Sequence, residues 1–100
     1  MCGLTGIYNL NESAVSEELL IKMARQLAHR GPDGEGIFCE QNIGLGHRRL
    51  SILDLSENGK QPMFSKNKNW VVVFNGCIYN YQKLKIELQS KGHHFISSCD

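Results

Sequence analysis

Cys2 stands directly behind the initiator methionine. Met1 precedes a small residue and is expected to be removed. One residue would then carry both a thiol and a free α-amine. Terminal amines titrate near ~7.7–8.0 and thiols near ~8.5, so a proton can pass from sulfur to nitrogen at little cost near neutrality. A nucleophile served by its own amine needs no histidine partner. Taken alone, a cysteine at position 2 is a short match, and chance is the simpler account of it. Asn75-Gly76 follows an apolar run, and on its own it reads as a plain turn.

The remaining composition narrows the class. One hundred residues make about one domain with a modest core. A hydrophobic content of 41% fits a globular protein rather than a disordered one. The net charge is +1, with both signs interspersed, and there is no basic stripe for nucleic acid. No apolar run reaches the ~18 residues of a membrane span, and no secretion signal opens the chain. The expected location is the cytoplasm. Cys2, Cys39, Cys77 and Cys99 are irregularly spaced. They form no zinc pattern, so free thiols and no metal are expected. The adjacent His93 and His94 read as surface residues.

The elements that must position these groups follow from periodicity. Residues 2–10 read as a strand containing Gly3 and Gly6. A helix is expected over 15–30, with Val15, Leu19, Met23 and Leu27 as its buried stripe and Glu18–Lys22 as an i,i+4 pair. Gly31 would supply a left-handed cap, and Pro32 cannot continue the helix. Residues 32–36 read as a turn. Strands over 37–40 and 43–52 would form a hairpin, followed by a polar loop over 54–62. The run Trp70-Val71-Val72-Val73-Phe74 has the pattern of a strand covered on both faces. Tyr81, Leu84 and Leu88 mark a second helix ending near Gly92, and Phe95-Ile96 begins another strand. Trp70, Met23 and Leu27 are assigned to the core, and Cys39 to a buried, inert position in a strand. His29, Arg30 and Asp33 read mainly as a helix end, a cap and a turn. The fold class is α+β, with antiparallel sheets covered by helices.

Five strings in order resemble the N-terminal glutaminase domain of asparagine synthetase, a class II glutamine amidotransferase. They are Met1-Cys2-Gly3-Leu4-Thr5-Gly6-Ile7, His29-Arg30-Gly31-Pro32-Asp33-Gly34, Gly46-His47-Arg48-Arg49-Leu50-Ser51-Ile52-Leu53-Asp54, Gln61-Pro62-Met63 and Phe74-Asn75-Gly76-Cys77-Ile78-Tyr79-Asn80-Tyr81. Each string is weak alone; together they span the chain. Glucosamine-6-phosphate synthase and phosphoribosyl amidotransferase families share the N-terminal cysteine but differ after the helix and around the arginine. The resemblance implies a four-layer αββα N-terminal-nucleophile sandwich about twice this length, of which residues 1–100 would be the first half. It implies Cys2 as the nucleophile on the glutamine side-chain amide, with Asn75 and Gly76 donating to the tetrahedral oxygen. It implies Arg49 on the substrate carboxylate, with Arg48 facing solvent on the other side of its strand. Leu50, Ser51, Ile52 and Leu53 would line the pocket, and Asp100 would bind the α-ammonium. The usual Ser before that aspartate is Cys99 here.

The chain departs from the family at Cys77, where the resemblance implies a glutamate that helps hold the ammonium. A protonated thiol supplies no such charge, and the loss is expected to raise the glutamine KM. Cys77 could also bridge to Cys2 on oxidation if their Cα atoms lie within ~7 Å. By resemblance, the reaction is glutamine hydrolysis through a Cys2 thioester. Ammonia would be delivered to a C-terminal synthetase domain, where ATP and Mg²⁺ activate aspartate; no cofactor is expected in this segment. The expected partners are L-glutamine and that domain, with neither nucleic acid nor membrane, and a homodimer is left open. Alternatives are a non-catalytic glutamine-binding or structural relative with a degraded site, or an amidotransferase with another acceptor.

Overall fold

A computed structural model describes residues 2–51 and 56–96. Strand β1 (Gly3–Tyr8) is followed by helix α1 (Glu17–Arg25), then strands β2 (Gly34–Glu40) and β3 (Ile43–Arg49). A 3₁₀ turn (Glu57–Gly59), the short strands β4 (Met63–Phe64) and β5 (Val71–Val72), and helix α2 (Tyr81–Ser90) come next. The chain divides into two units. One comprises Met1–Leu50 with Lys60–Asn75, and the other Ser51–Gly59 with Gly76–Asp100.

The first unit is built on an antiparallel sheet in the order β1-β3-β2, with a separate β4-β5 hairpin. The expected β2–β3 hairpin forms around Gln41-Asn42, with Gln41 left-handed at φ 50°. Its strand begins at Gly34, so Gly34-Glu35-Gly36 is sheet rather than the expected turn. The ladder opposite Arg49 and Arg48 extends pairing to these residues. β3 ends at Arg49, short of the expected residue 52.

α1 is shorter than its periodicity predicts. Ser16 caps it, its hydroxyl accepting from the Leu19 N–H at 3.2 Å, which leaves Val15 outside the helix. At the other end, residues 26–30 tighten into i,i+3 turns: Leu27 N–H donates to Ala24, Ala28 to Arg25 and Arg30 to Leu27. The buried face is also rotated from the expected stripe. Leu20 and Ala24 are buried, whereas Leu19 is exposed. The cause lies in the sheet. Gly44 and Gly46 leave recesses in β3 that these side chains enter; a Cβ on Gly44 would come within 2.9 Å of Leu20 and Val15, and one on Gly46 within 3.4 Å of Ala24. Met23 and Leu27 are half-buried. The Glu18–Lys22 pair forms at 3.6 Å between two exposed side chains, worth only a few tenths of a kcal/mol (~0.3–0.5).

Gly31 is not a left-handed cap, since the described glycine with positive φ is Gly92. Gly31 is buried because the Arg48 backbone passes so close that any Cβ would overlap it. The apolar run before Asn75 is not a doubly covered strand. Only Val71 and Val72 pair, against a two-residue β4, and Trp70 is 77% exposed. So short a ladder leaves one face of the run without a covering layer. Cys39 lies in β2 as expected, but half-buried, its thiol 3.5 Å from the Val15 carbonyl.

In the second unit, α2 ends as its sequence predicts. Gly92 takes φ 92°, the Gly92 N–H donates to the Gln89 carbonyl and the His93 N–H to the Leu88 carbonyl. This is the paired bonding of a Schellman cap. Residues 93–96 form no strand.

Candidate active site

Alternation along the strands sorts the sheet into two faces. Gly44 and Gly46 of β3 face α1, as do Gly3 of β1, where a Cβ would meet Leu27 at 3.0 Å, and Cys39 of β2. Leu45, His47 and Arg49 therefore occupy the opposite face, together with Leu4 of β1 and Gly34, Gly36 and Phe38 of β2. Cys2 precedes Gly3, and Gly3 pairs with Arg48. One further step along the register sets Cys2 beside Arg49, on the face away from the helix.

Backbone hydrogen bonding fixes the thiol there. Leu50 N–H donates to Cys2 Sγ at 3.3 Å, and Sγ lies 3.7 Å from the Leu50 carbonyl. The sulfur is half-buried, and none of Cys2, Cys39 and Cys77 is in a disulfide. The nucleophile candidate is thus held at the sheet's end by the residue after the carboxylate-binding candidate. Arg49 is half-buried, and its carbonyl accepts from Asp33 N–H at 2.8 Å, which ties the loop after α1 to the end of β3.

Arg48 does not face solvent, contrary to expectation. Its side chain is 14% exposed and makes an ion pair at 3.0 Å with Glu35, while Nε donates to the Gly31 carbonyl at 2.9 Å. The α1 side of the sheet is not solvent at this row. The loop closes over it, and Arg48 serves as the fastener. This pair separates the roles of the two arginines: Arg48 is committed to structure on one face and Arg49 lies on the face of Cys2. The Glu35 partner escaped the sequence reading because residues 34–36 read as a turn. Placed in a strand, Glu35 falls directly opposite Arg48.

His47 lies in the Gly46-to-Asp54 string, at a position to which the resemblance assigns no role. It is 1% exposed, and neither ring nitrogen has a hydrogen-bond partner. Burial holds its pKa below the usual histidine range; the nearby Phe74 backbone works against that shift, and the positive charge of Arg49 adds to it. The imidazole is therefore neutral near pH 7. A histidine on the same strand face as Arg49, two residues earlier, was the available signal.

Asn75 closes the first unit and is half-buried, next to Phe74, whose N–H donates to Gln61 Oε1. Gly76 and Cys77 belong to the second unit and are exposed. Ser51 is half-buried. Ile52, Leu53 and Asp100 lie outside the described residues, as does Cys99. Among the described residues no group of His, Cys, Asp and Glu could hold a metal ion. Among them, too, no helix is long and apolar enough to cross a membrane.

The fold and site define a class: an α+β domain that presents an N-terminal-region cysteine beside an arginine at the end of an antiparallel sheet. The chain belongs to the glutamine amidotransferase domain family, whose model matches residues 1–100. It is similar to asparagine synthetase [glutamine-hydrolyzing] 1 of Bacillus subtilis, 44% identical over 103 residues, covering all of this chain and 16% of that protein. It is 39% identical over 101 residues to asparagine synthetase [glutamine-hydrolyzing] 2 of Oryza sativa subsp. japonica, covering all of this chain and 17% of that protein. Asparagine synthetase B [glutamine-hydrolyzing] of Escherichia coli is 39% identical over 88 residues, covering 87% of this chain and 16% of that protein. The chain thus spans about a sixth of the length of these relatives.

Proposed function

We propose that this chain is the glutaminase portion of a glutamine-dependent asparagine synthetase. The observation that carries the reading is the setting of Cys2 Sγ, hydrogen-bonded by the Leu50 backbone and on the sheet face of Arg49. Removal of Met1 exposes the Cys2 amine, which takes the thiol proton as sulfur attacks the side-chain amide carbon of glutamine. The amine then returns that proton to the leaving nitrogen, and ammonia departs. Water, deprotonated by the same amine, releases glutamate from the thioester and restores the thiol.

Arg49 holds the substrate carboxylate through a two-pronged contact. Leu50, Ser51, Ile52 and Leu53 line the pocket. The Asn75 side chain and the Gly76 N–H meet the oxygen of the tetrahedral intermediate, where losing one donor typically costs ~10²–10³ in rate. Cys77 and Asp100 lie toward the ammonium, with Asp100 alone supplying charge. In this reading the complete domain is a four-layer αββα sandwich. Ammonia passes to a C-terminal synthetase domain, which uses ATP and Mg²⁺ to amidate aspartate. The relatives' names support that assignment. No residue of this chain is assigned to ATP or Mg²⁺.

The test is a glutaminase assay on the protein at its full natural length, with intact-mass measurement to establish the N-terminal residue. Turnover in the wild type and none in Cys2→Ala are expected, together with labelling of Cys2 by a glutamine-mimicking electrophile. A retained methionine in an active protein, or a Cys2→Ala variant that still hydrolyses glutamine, would overturn the reading.

A further inference from the structure

Arg48 lies on the α1 face of the sheet, away from Cys2, yet its contacts lead to the sulfur. Its guanidinium straddles Asp33. Nε donates to the Gly31 carbonyl at 2.9 Å, two residues before Asp33, and Nη1 pairs with Glu35 Oε2 at 3.0 Å, two residues after it. Both side chains are half-buried, so the pair is screened less than one on the open surface. Gly31 rests against the Arg48–Arg49 peptide at a spacing that no Cβ would permit. The segment 31–35 is therefore pinned on either side of Asp33. Between the pins, the Asp33 N–H donates to the Arg49 carbonyl at 2.8 Å. That carbonyl belongs to the same peptide as the Leu50 N–H, which donates to Cys2 Sγ at 3.3 Å. A trans peptide is planar, and its C=O and N–H point in opposite directions. Fixing the carbonyl from one side thus aims the N–H on the other. Hydrogen bonds in series also polarise one another, so the bond from Asp33 strengthens the bond to sulfur.

We propose that Arg48 is a positioning residue for the nucleophile: by gripping Gly31 and Glu35 it holds the Asp33 N–H on the Arg49 carbonyl, and so aims the Leu50 N–H that seats the Cys2 thiol. The inference rests on the glutaminase reading above. It extends that reading by giving Arg48 and Glu35 a part in the reaction, which they reach only through the backbone. Attack on an amide carbon needs the sulfur close and aligned, and a misplacement of about 1 Å costs ~10²-fold. A sulfur seated by one backbone N–H follows the peptide that carries it, and that peptide follows the loop. An Arg48 that only stabilised the fold would leave the rate per folded chain unchanged. An Arg48 that gripped the substrate carboxylate would act through KM.

The experiment uses the protein at its full natural length. It compares wild type, Arg48→Met, Glu35→Leu, Glu35→Gln and the double variant Arg48→Met/Glu35→Leu, with kcat expressed per folded chain from far-UV circular dichroism. Methionine keeps an apolar stem and removes both donors, whereas glutamine at 35 keeps an oxygen that accepts from Nη1. In Arg48→Met, kcat is expected to fall about tenfold or more. Glu35→Leu should lose more than about threefold, and Glu35→Gln should stay within about threefold of wild type. The double variant should match Arg48→Met to within about twofold, since the two residues act through one contact. The glutamine KM should stay within about threefold throughout, because Arg49 is untouched. A kcat in Arg48→Met within about tenfold of wild type, equal kcat in the two Glu35 variants, losses that multiply in the double variant, or a loss carried by KM would overturn the proposal. If Arg48→Met yields no folded protein, the two Glu35 variants decide, and equal kcat in them sinks the inference. Failure of the glutaminase reading would be distinct: the wild type itself would neither turn over glutamine nor be labelled at Cys2 by the electrophile.

Discussion

At the scale of single residues, Cys77 and His47 carry separate consequences. Cys77 is exposed and forms no disulfide, where the family resemblance implies a carboxylate. Restoring one anion beside a substrate ammonium, at a site open to solvent, is worth about 0.2–1 kcal/mol. Cys77→Glu is accordingly expected to lower the glutamine KM by up to about fivefold, since ~1.4 kcal/mol is tenfold. Steady-state kinetics at saturating and limiting glutamine check this, and an unchanged KM would remove Cys77 from the ammonium subsite. His47 affects stability through its proton. The folded state lowers its pKa, chiefly by burial, whereas the unfolded chain binds a proton near ~6.5. Its contribution is therefore present above ~6.5 and is lost as pH falls through the lower folded value. Amide exchange of β3, corrected for the intrinsic rate, should lose protection on acidification in the wild type and lose less in His47→Gln. Identical pH dependence in the two proteins would contradict this.

Secondary-structure elements were legible where their pattern was local. The β2–β3 hairpin, the Ser16-to-Arg25 core of α1 and the Gly92 cap all follow from nearby residues. Elements whose limits are set by a distant partner were not. The buried face of α1 follows recesses at Gly44 and Gly46, some twenty residues on, and a helix's own periodicity carries no record of them. The Val-rich run promised a covered strand, but its partner β4 offers two residues. Of the candidate site, the shared sheet face of Cys2 and Arg49 follows from strand alternation and register. Arg48's ion pair and His47's burial do not, because both depend on which strand faces which loop. Gly36 tests this packing at the level of elements. Its Cβ would strike backbone of the 61–62 segment, which cannot rotate away as a side chain could. Gly36→Ala is expected to destabilise by more than about 1–3 kcal/mol, the cost of overpacking. Ser16→Ala, which removes only the α1 cap, should cost about 1 kcal/mol. Urea unfolding of the pair would show whether the order holds, and a Gly36→Ala variant as stable as Ser16→Ala would mean that the segment yields.

At the scale of the molecule, burial is uneven between the two units, and this predicts where the chain opens first. Among the described residues, the buried apolar side chains are Val15, Leu20 and Ala24, all in the first unit and gathered where α1 meets β3. His47 is buried on the other side of the same sheet. α2 has ten residues and buries none of them. A helix that short is marginal in water unless packing supports it. Its local supports are small: a Schellman cap, and a Lys91–Glu87 pair at 3.5 Å between exposed side chains, worth about 0.3–0.5 kcal/mol. Local opening free energies follow buried apolar contact. In the 100-residue chain on its own, amides of β3 should therefore exchange slowest. Those of α2 should exchange at least about 100-fold faster relative to their intrinsic rates, with β1 and β2 between them. Hydrogen–deuterium exchange read by mass spectrometry on peptides covering 43–49 and 81–90 measures the ratio directly. Equal protection of α2 and β3 would mean that α2 gains burial from packing that its exposed Leu84, Ile86 and Leu88 do not show. The gradient matters for the chemistry because Cys2 is bonded to Leu50 at the end of β3. The proposed nucleophile is thereby anchored to the part of the chain expected to open last, and its geometry should outlast the unwinding of α2.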